Sequence, residues 1–323
     1  MVATGASAQN ITAAGATFPY PIYNKWFTEY NQLHPNVKIN YQSIGSGGGI
    51  KQVSEGTVDF GASDGPMNDQ QLAEAKVKVM HIPTVLGSDV PVYNIPGVSK
   101  DLNFTGDEIA DIYLGKITKW NDPRLVKDNP GANLPGKQIL PVYRSDGSGT
   151  TYILTDYLSK VSPDWLSKVG KGTSVKWPVG IGAKGNEGVA GMVRQAPNSF
   201  GYVELIYALQ NKMAYGTVKN AAGKYIKATT GGVTAAASGA AKTMPADYRV
   251  SITNAPGATS YPISSFTWLL IPRQFADPAK GVAVKGFLTW MLEHGESEAS
   301  GMGYAPLPVQ VQTMVKRTIT TIK

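Results

Sequence analysis

The chain is 323 residues long, 42% hydrophobic, free of cysteine and formally +7 at pH 7. That length exceeds the usual single core and favours two domains, while the balance of apolar and interspersed charged residues excludes a disordered chain. Disulfides and thiolate metal sites are excluded with the cysteines, and no apolar run approaches the roughly 20 residues that a membrane-crossing helix needs.

Residues 1–9 include Ala6-Ser-Ala8 ahead of Gln9, the small-residue pattern that closes a cleaved secretion signal. They are read as a flexible remnant with an added start Met; a tail of no particular meaning is the alternative. Ala14-Gly-Ala-Thr-Phe-Pro-Tyr-Pro21 follows, ahead of an apolar repeat at Ile22, Trp26, Phe27 and Tyr30 that predicts a helix. Pro21 suits its first turn, because the N–H that proline lacks has no partner there. Thr17 and Phe18 therefore stand at a helix entrance. Residues 37–41 read as a strand, and Ile44-Gly-Ser-Gly-Gly-Gly-Ile50 is a glycine-rich turn that carries Ser46 towards a helix over 51–55. An Asp-bearing turn, Ala62-Ser-Asp-Gly-Pro66, comes next, with a helix start near Asn68 or Asp69.

Residues 79–83 and 139–143 read as short strands. The second leads into Arg144-Ser-Asp-Gly-Ser-Gly-Thr-Thr151, a tight turn that enters an amphipathic helix. A helix start leaves backbone N–H groups unpaired and adds partial positive charge. Ser148 and Thr150 add hydroxyl donors, Arg144 a planar fork, and Asp146 the single acceptor between them. This is the chemistry of a seat for a small tetrahedral oxyanion, and the turns at 14–21 and 44–50 share it. The alternation of strands and helices predicts an α/β fold with ligands at the C-terminal ends of the strands. Residues 220–241, rich in Ala, Gly and Thr, read as a surface excursion too poor in apolar bulk to form core. Residues 279–294 read as an ordinary helix with Phe287 and Trp290 in the core.

Each candidate also has a purely structural reading. Ser and Thr are preferred helix caps, so Thr17 and Ser46 fit capping and anion binding alike. Asp64 either caps the helix near 68–69 or faces a ligand, and Arg144 is either a surface residue or a fork oriented by Asp146. Catalysis is disfavoured. His34, His81 and His294 lie far apart outside any motif, Gly-Ser-Gly at 147–149 is no nucleophile elbow, and the glycines at 45–49 lead to Ile50 where a phosphate loop has Lys. No carboxylate cluster has calcium or zinc spacing, so neither a metal nor a cofactor is expected. The basic residues are scattered, which speaks against nucleic acid. The +7 charge either draws anions to a cleft or only keeps the chain soluble.

The blocks Ala14-Gly-Ala-Thr-Phe-Pro19, Val58-Asp-Phe-Gly-Ala-Ser-Asp64, Asp111-Ile-Tyr-Leu-Gly-Lys116, Asp146-Gly-Ser-Gly-Thr150 and Gly201-Tyr-Val-Glu204 stand in a familiar order and spacing. From about residue 11 onward the chain resembles the periplasmic phosphate-binding proteins of the bacterial Pst-type ABC importer. The resemblance implies a bilobed α/β fold of the type II periplasmic-binding-protein kind, with two hinge crossings near 88–91 and 259–262. Lobe 1 would hold 10–88 plus 260–323, and lobe 2 would hold 89–259. Phosphate would be held by Thr17, Phe18, Ser46, Asp64, Arg144, Ser148, Gly149 and Thr150, with Asp146 paired to Arg144. Asp64 would accept a hydrogen bond from the P–OH that sulfate lacks, leaving sulfate to face an unpaired charge. The partners implied are inorganic phosphate and the membrane permease, for a monomer in the periplasm, where no cysteine is present to carry a lipid. Where the family often reads Gly-Ser-Ser-Gly-Gly, this chain has Gly47, which would alter packing beside Ser46. A secreted phosphatase-like or phosphate-scavenging enzyme on the same scaffold is the alternative.

Overall fold

The computed structural model describes residues 8–323. Most of the remnant expected at 1–9 lies outside the described residues, and Gln9 is already the first residue of a strand. The chain runs through β1 (Gln9–Gly15), α1 (Tyr20–Leu33), β2 (Val37–Ser43), α2 (Ser46–Glu55), β3 (Phe60–Ser63) and α3 (Asp69–Glu74) to the long strand β4 (Val79–Asn94). Next come β5 (Asn103–Phe104), α4 (Gly106–Tyr113), α5 (Pro123–Asp128), β6 (Leu140–Arg144), α6 (Gly149–Val161) and α7 (Pro163–Lys168). They are followed by β7 (Ile181–Ala183), α8 (Gly185–Gln195), β8 (Ser199–Glu204) and α9 (Leu205–Gln210). The short strands β9 (Ala214–Tyr215), β10 (Thr217–Lys219) and β11 (Tyr225–Ile226) lead to α10 (Thr230–Lys242). Then follow β12 (Ser264–Pro272), α11 (Pro278–Glu293), β13 (Ala305–Pro306) and α12 (Val309–Ile319).

The main path of the large sheet has the strand order β2-β1-β3-β12-β4-β8-β6-β7. β1 pairs in parallel with β2 and β3, and β6 pairs in parallel with β7 and β8. The antiparallel middle makes this two α/β lobes that share a strand. Residues 79–88 of β4 pair with β12, and residues 89–94 pair with β8. The change of partner falls between Ser88 and Asp89, and the N–H of Asp89 bonds the carbonyl of Ile263 just before β12. β4 is buried along nearly its whole length, as a strand covered on both faces must be.

Local chemistry places the helix starts. In α1 the buried stripe Ile22, Tyr23, Trp26, Phe27 and Tyr30 has helical spacing, and a proline occupies the first turn. Asn68, not Asp64, caps α3: its side chain accepts from Gln71 N–H while Gln71 returns a bond to the Asn68 backbone. α2 begins at Ser46, five residues earlier than its apolar pattern predicts, because the glycine run is itself helical.

Residues 220–241 correct the sequence reading. They form part of a small sheet and then α10, in which Val233, Ala236, Ala237 and Ala241 are buried. The helix packs against β4, β12 and β13. Small side chains do not keep this segment at the surface; they let the helix axis lie close to the strands.

Candidate anion site between the lobes

Strands β1, β3 and β6 end at Gly15, Ser63 and Arg144, and the turns after them meet in one place together with the start of α2. Asp64 follows β3 and is 1% exposed. Its Oδ1 accepts from Thr267 Oγ1 at 2.7 Å and its Oδ2 from Ser46 Oγ at 3.3 Å. The Asp64 N–H donates to Ser46 Oγ at 3.2 Å. Burial pushes the Asp64 carboxyl up to about 7, against the pull of the Thr267 bond, Arg144 and Ser46.

Arg144 is 3% exposed. Its Nε and Nη2 grip Asp146 Oδ1 and Oδ2 at 2.8 and 2.6 Å, a two-pronged pairing that fixes the plane of the fork. Its Nη1 donates to Thr150 Oγ1 at 3.3 Å. Burial works against an ionised Asp146, yet the Arg144 contacts hold its carboxyl below the usual range, so the pair is charged. Asp146 Oδ1 also accepts from Gly185 N–H at 3.0 Å, which ties the fork to the start of α8.

Ser148 caps α6 by accepting from Thr151 N–H at 3.0 Å, and its own hydroxyl proton remains to donate. Gly149 and Thr150 are the first two residues of α6, so their N–H groups have no carbonyl to bond within the helix. Gly149 lies so close to the turn after β3 that a Cβ there would stand 2.3 Å from Asp64 Oδ2. Thr17 and Ser46 are not helix caps: Pro19 precedes α1 and Gly45 precedes α2. The Thr17 carbonyl instead accepts from Tyr207 Oη at 2.6 Å, and its hydroxyl accepts from Asn186. Phe18 is buried, its ring edge-on to Tyr304 and its carbonyl bonded to Tyr304 Oη at 2.7 Å.

The structure thus brings Ser46, Asp64, Arg144, Gly149 and Thr150 together, with Thr17 joined through Asn186, Ser148 at the α6 cap and Phe18 in the adjoining turn. The lobes touch here. Gly47 N–H donates to Gly147 O at 2.8 Å, and a Cβ on Gly47 would stand 3.0 Å from the Gly147 Cα. The fully buried Asn186, Thr267 and Tyr207, or nearly so in the last case, were not among the sequence candidates. Asn186 had a signal, because Lys-Gly-Asn at 184–186 is a fourth strand-to-helix turn. Thr267 had none, being one of three hydroxyl residues, with Ser264 and Ser265, in an otherwise apolar strand. The histidines stand elsewhere: His81 accepts from Met67 N–H, His34 packs on Tyr30, and His294 ends α11. Such a site offers many neutral donors, one paired cation and one acceptor, which suits an oxyanion that carries a proton.

Comparison with known proteins agrees with this chemistry. A family model described as a PBP superfamily domain matches residues 2–294. A phosphate-binding protein PstS of Xylella fastidiosa is 48% identical over 299 residues, 92% of this chain and 81% of that protein. A phosphate-binding protein PstS of Haemophilus influenzae is 46% identical over 312 residues, 96% of this chain and 92% of its own. In fold, the chain is similar to a phosphate-binding protein crystal structure from Stenotrophomonas maltophilia, with a TM-score of 0.74 at 21% identity, covering 96% of this chain and 94% of that one.

Proposed function

Because the chain belongs to the PstS phosphate-binding protein family, we propose that it captures inorganic phosphate between its lobes and delivers it to a membrane ABC importer. The observation that carries this reading is Asp64, a buried carboxyl with a raised pKa, set opposite the Arg144–Asp146 pair and the start of α6. Thr17, Phe18, Ser46 and Asp64 contribute from one lobe; Arg144, Ser148, Gly149 and Thr150 contribute from the other, and Asp146 orients the fork. We take lobe 1 as 10–88 plus 260–323 and lobe 2 as 89–259. The protein works as a periplasmic monomer that docks on the permease when closed. No helix of the described residues is long and apolar enough to cross a membrane.

Its role is binding and not turnover. Ser148, the nucleophile that a phosphatase reading would need, is engaged as the α6 cap, and none of the three histidines reaches it. The test is calorimetric titration of ligand-stripped protein with phosphate and with sulfate at neutral pH. One-to-one phosphate binding at micromolar or tighter is expected, with sulfate far weaker. Equal binding of both anions removes Asp64 from its assigned role. Hydrolysis of a chromogenic phosphate ester that Ser148→Ala abolishes would overturn the assignment as a binding protein.

A further inference from the structure

Asn186 is fully buried in the first turn of α8, and each polar atom of its side chain is engaged. Oδ1 accepts from Glu204 N–H at 3.0 Å. Because a backbone N–H only donates, the atom facing it is the amide oxygen, and the amide nitrogen faces the other way. That nitrogen donates to Thr17 Oγ1 at 2.8 Å and to Thr150 Oγ1 at 3.1 Å. The Asn186 N–H adds a second bond to Thr17 Oγ1 at 3.3 Å, and Arg144 Nη1 adds one to Thr150 Oγ1.

A hydroxyl has two acceptor lone pairs and one proton. Both lone pairs of each threonine are occupied by groups that only donate, so the one thing either hydroxyl has left to offer is its proton. Neither finds a protein acceptor for it among the described residues. We infer that Asn186 is a positioning residue that turns Thr17 and Thr150, one from each lobe, into obligatory donors towards the bound anion. One wall of the site then donates only, while Asp64 supplies the acceptor. A protonated phosphate is oriented accordingly, its bare oxygens on the threonines and its P–OH on Asp64. The inference rests on the phosphate reading and adds a residue that does not itself touch the ligand.

The experiment is a double-mutant cycle read by phosphate titration. Asn186→Ala is made in the parent and in a Thr17→Val/Thr150→Val background, and melting temperatures are recorded without phosphate. If Asn186 acts through the hydroxyls, its loss weakens binding about tenfold or more in the parent and less than about twofold once the hydroxyls are gone. The same loss in both backgrounds would mean packing alone and would overturn the inference. Asn186→Asp is the second variant, close in size and still able to accept from Glu204 N–H. Its other oxygen forces the threonines to donate inward, so it should bind more weakly than the alanine variant. The added negative charge acts in both backgrounds, so the excess loss confined to the threonine background is the readout. An aspartate variant that binds as tightly as the alanine one overturns the inference. The parent titration separates the two levels. No heat in the parent overturns the phosphate reading and this inference with it, whereas parent binding with additive losses overturns the inference alone.

Discussion

Asp64 uses one oxygen on Thr267 and the other on Ser46, and its pKa of about 7 places its proton exchange in the neutral range. Above that pH it is a carboxylate that repels an unprotonated anion; below it, the neutral carboxyl can donate. Sulfate binding is therefore expected to rise about tenfold for each unit that pH falls towards 7, then to level off. Titrations with sulfate from pH 5 to 9 measure this, and Asn at position 64 should flatten the profile. A parent profile that is already flat would remove Asp64 as the discriminating group. Arg144 makes a different contribution: it is locked by Asp146, so its orientation is fixed before ligand arrives. Arg144→Ala should weaken phosphate by about 2–5 kcal/mol, since it also leaves Asp146 without its partner. A loss under about 1 kcal/mol would make the fork peripheral.

Among the elements, β4 carries an anomaly. Asp89 sits where β4 changes partner, fully buried beside Ile109, Leu154, Phe200, Tyr202 and Ile263, and neither carboxyl oxygen makes a well-aligned hydrogen bond among the described residues. Burial, then the neighbouring Glu204, pushes its pKa well above the usual range, with Arg144 pulling the other way. A folded pKa above the unfolded one means that this group's contribution is complete below the unfolded value and is lost as pH rises through the folded one. Asp89→Val should therefore stabilise the protein by about 1–3 kcal/mol at neutral pH and by less near pH 4. Urea unfolding at both pH values reads the difference, and a gain that does not change with pH would sink the explanation. α10 makes the opposite case: Ala237→Leu, in the face packed on the sheet, should cost about 1–3 kcal/mol in the same assay. These two positions also show how far the sequence was legible. Helix starts announced themselves through Gly, Pro and hydroxyl residues, and so did the turns that carry Thr17, Ser46, Asp64 and Arg144. The role of α10 was hidden because alanine has too little bulk to signal burial, although small residues allow close packing. Thr267 was hidden because a hydroxyl in a buried strand looks the same whether it meets a carboxylate, as here, or a backbone carbonyl, as Ser264 and Ser265 do.

For the whole molecule, closure of the lobes and assembly of the site are, on the proposed reading, one event. The bonds from Gly47 to Gly147, from Asn186 to Thr17 and from Tyr207 to the Thr17 carbonyl all cross between the lobes, and each involves a turn that carries or adjoins a site residue. Gly47 and Gly147 meet with bare Cα atoms, and a Cβ on either would stand 3.0 Å from the Cα of the other. One methyl demands a shift of a few tenths of an ångström; the two branches of valine demand more. Gly147→Val should hold the lobes apart without removing a donor from the site. When only a fraction of molecules can reach the closed form, the apparent Kd rises as the inverse of that fraction, so even a tenth remaining competent weakens binding about tenfold. The weakening should lie mainly in a faster release rate, since encounter with the open cleft is unchanged. Small-angle scattering then separates closure from local damage. The parent should contract at a phosphate concentration where the variant remains extended, and the variant should contract once phosphate is raised in proportion to its Kd. A variant that binds weakly yet contracts at the parent's concentration would place the damage in the site, whereas unchanged binding would mean that closure does not depend on the glycine contact.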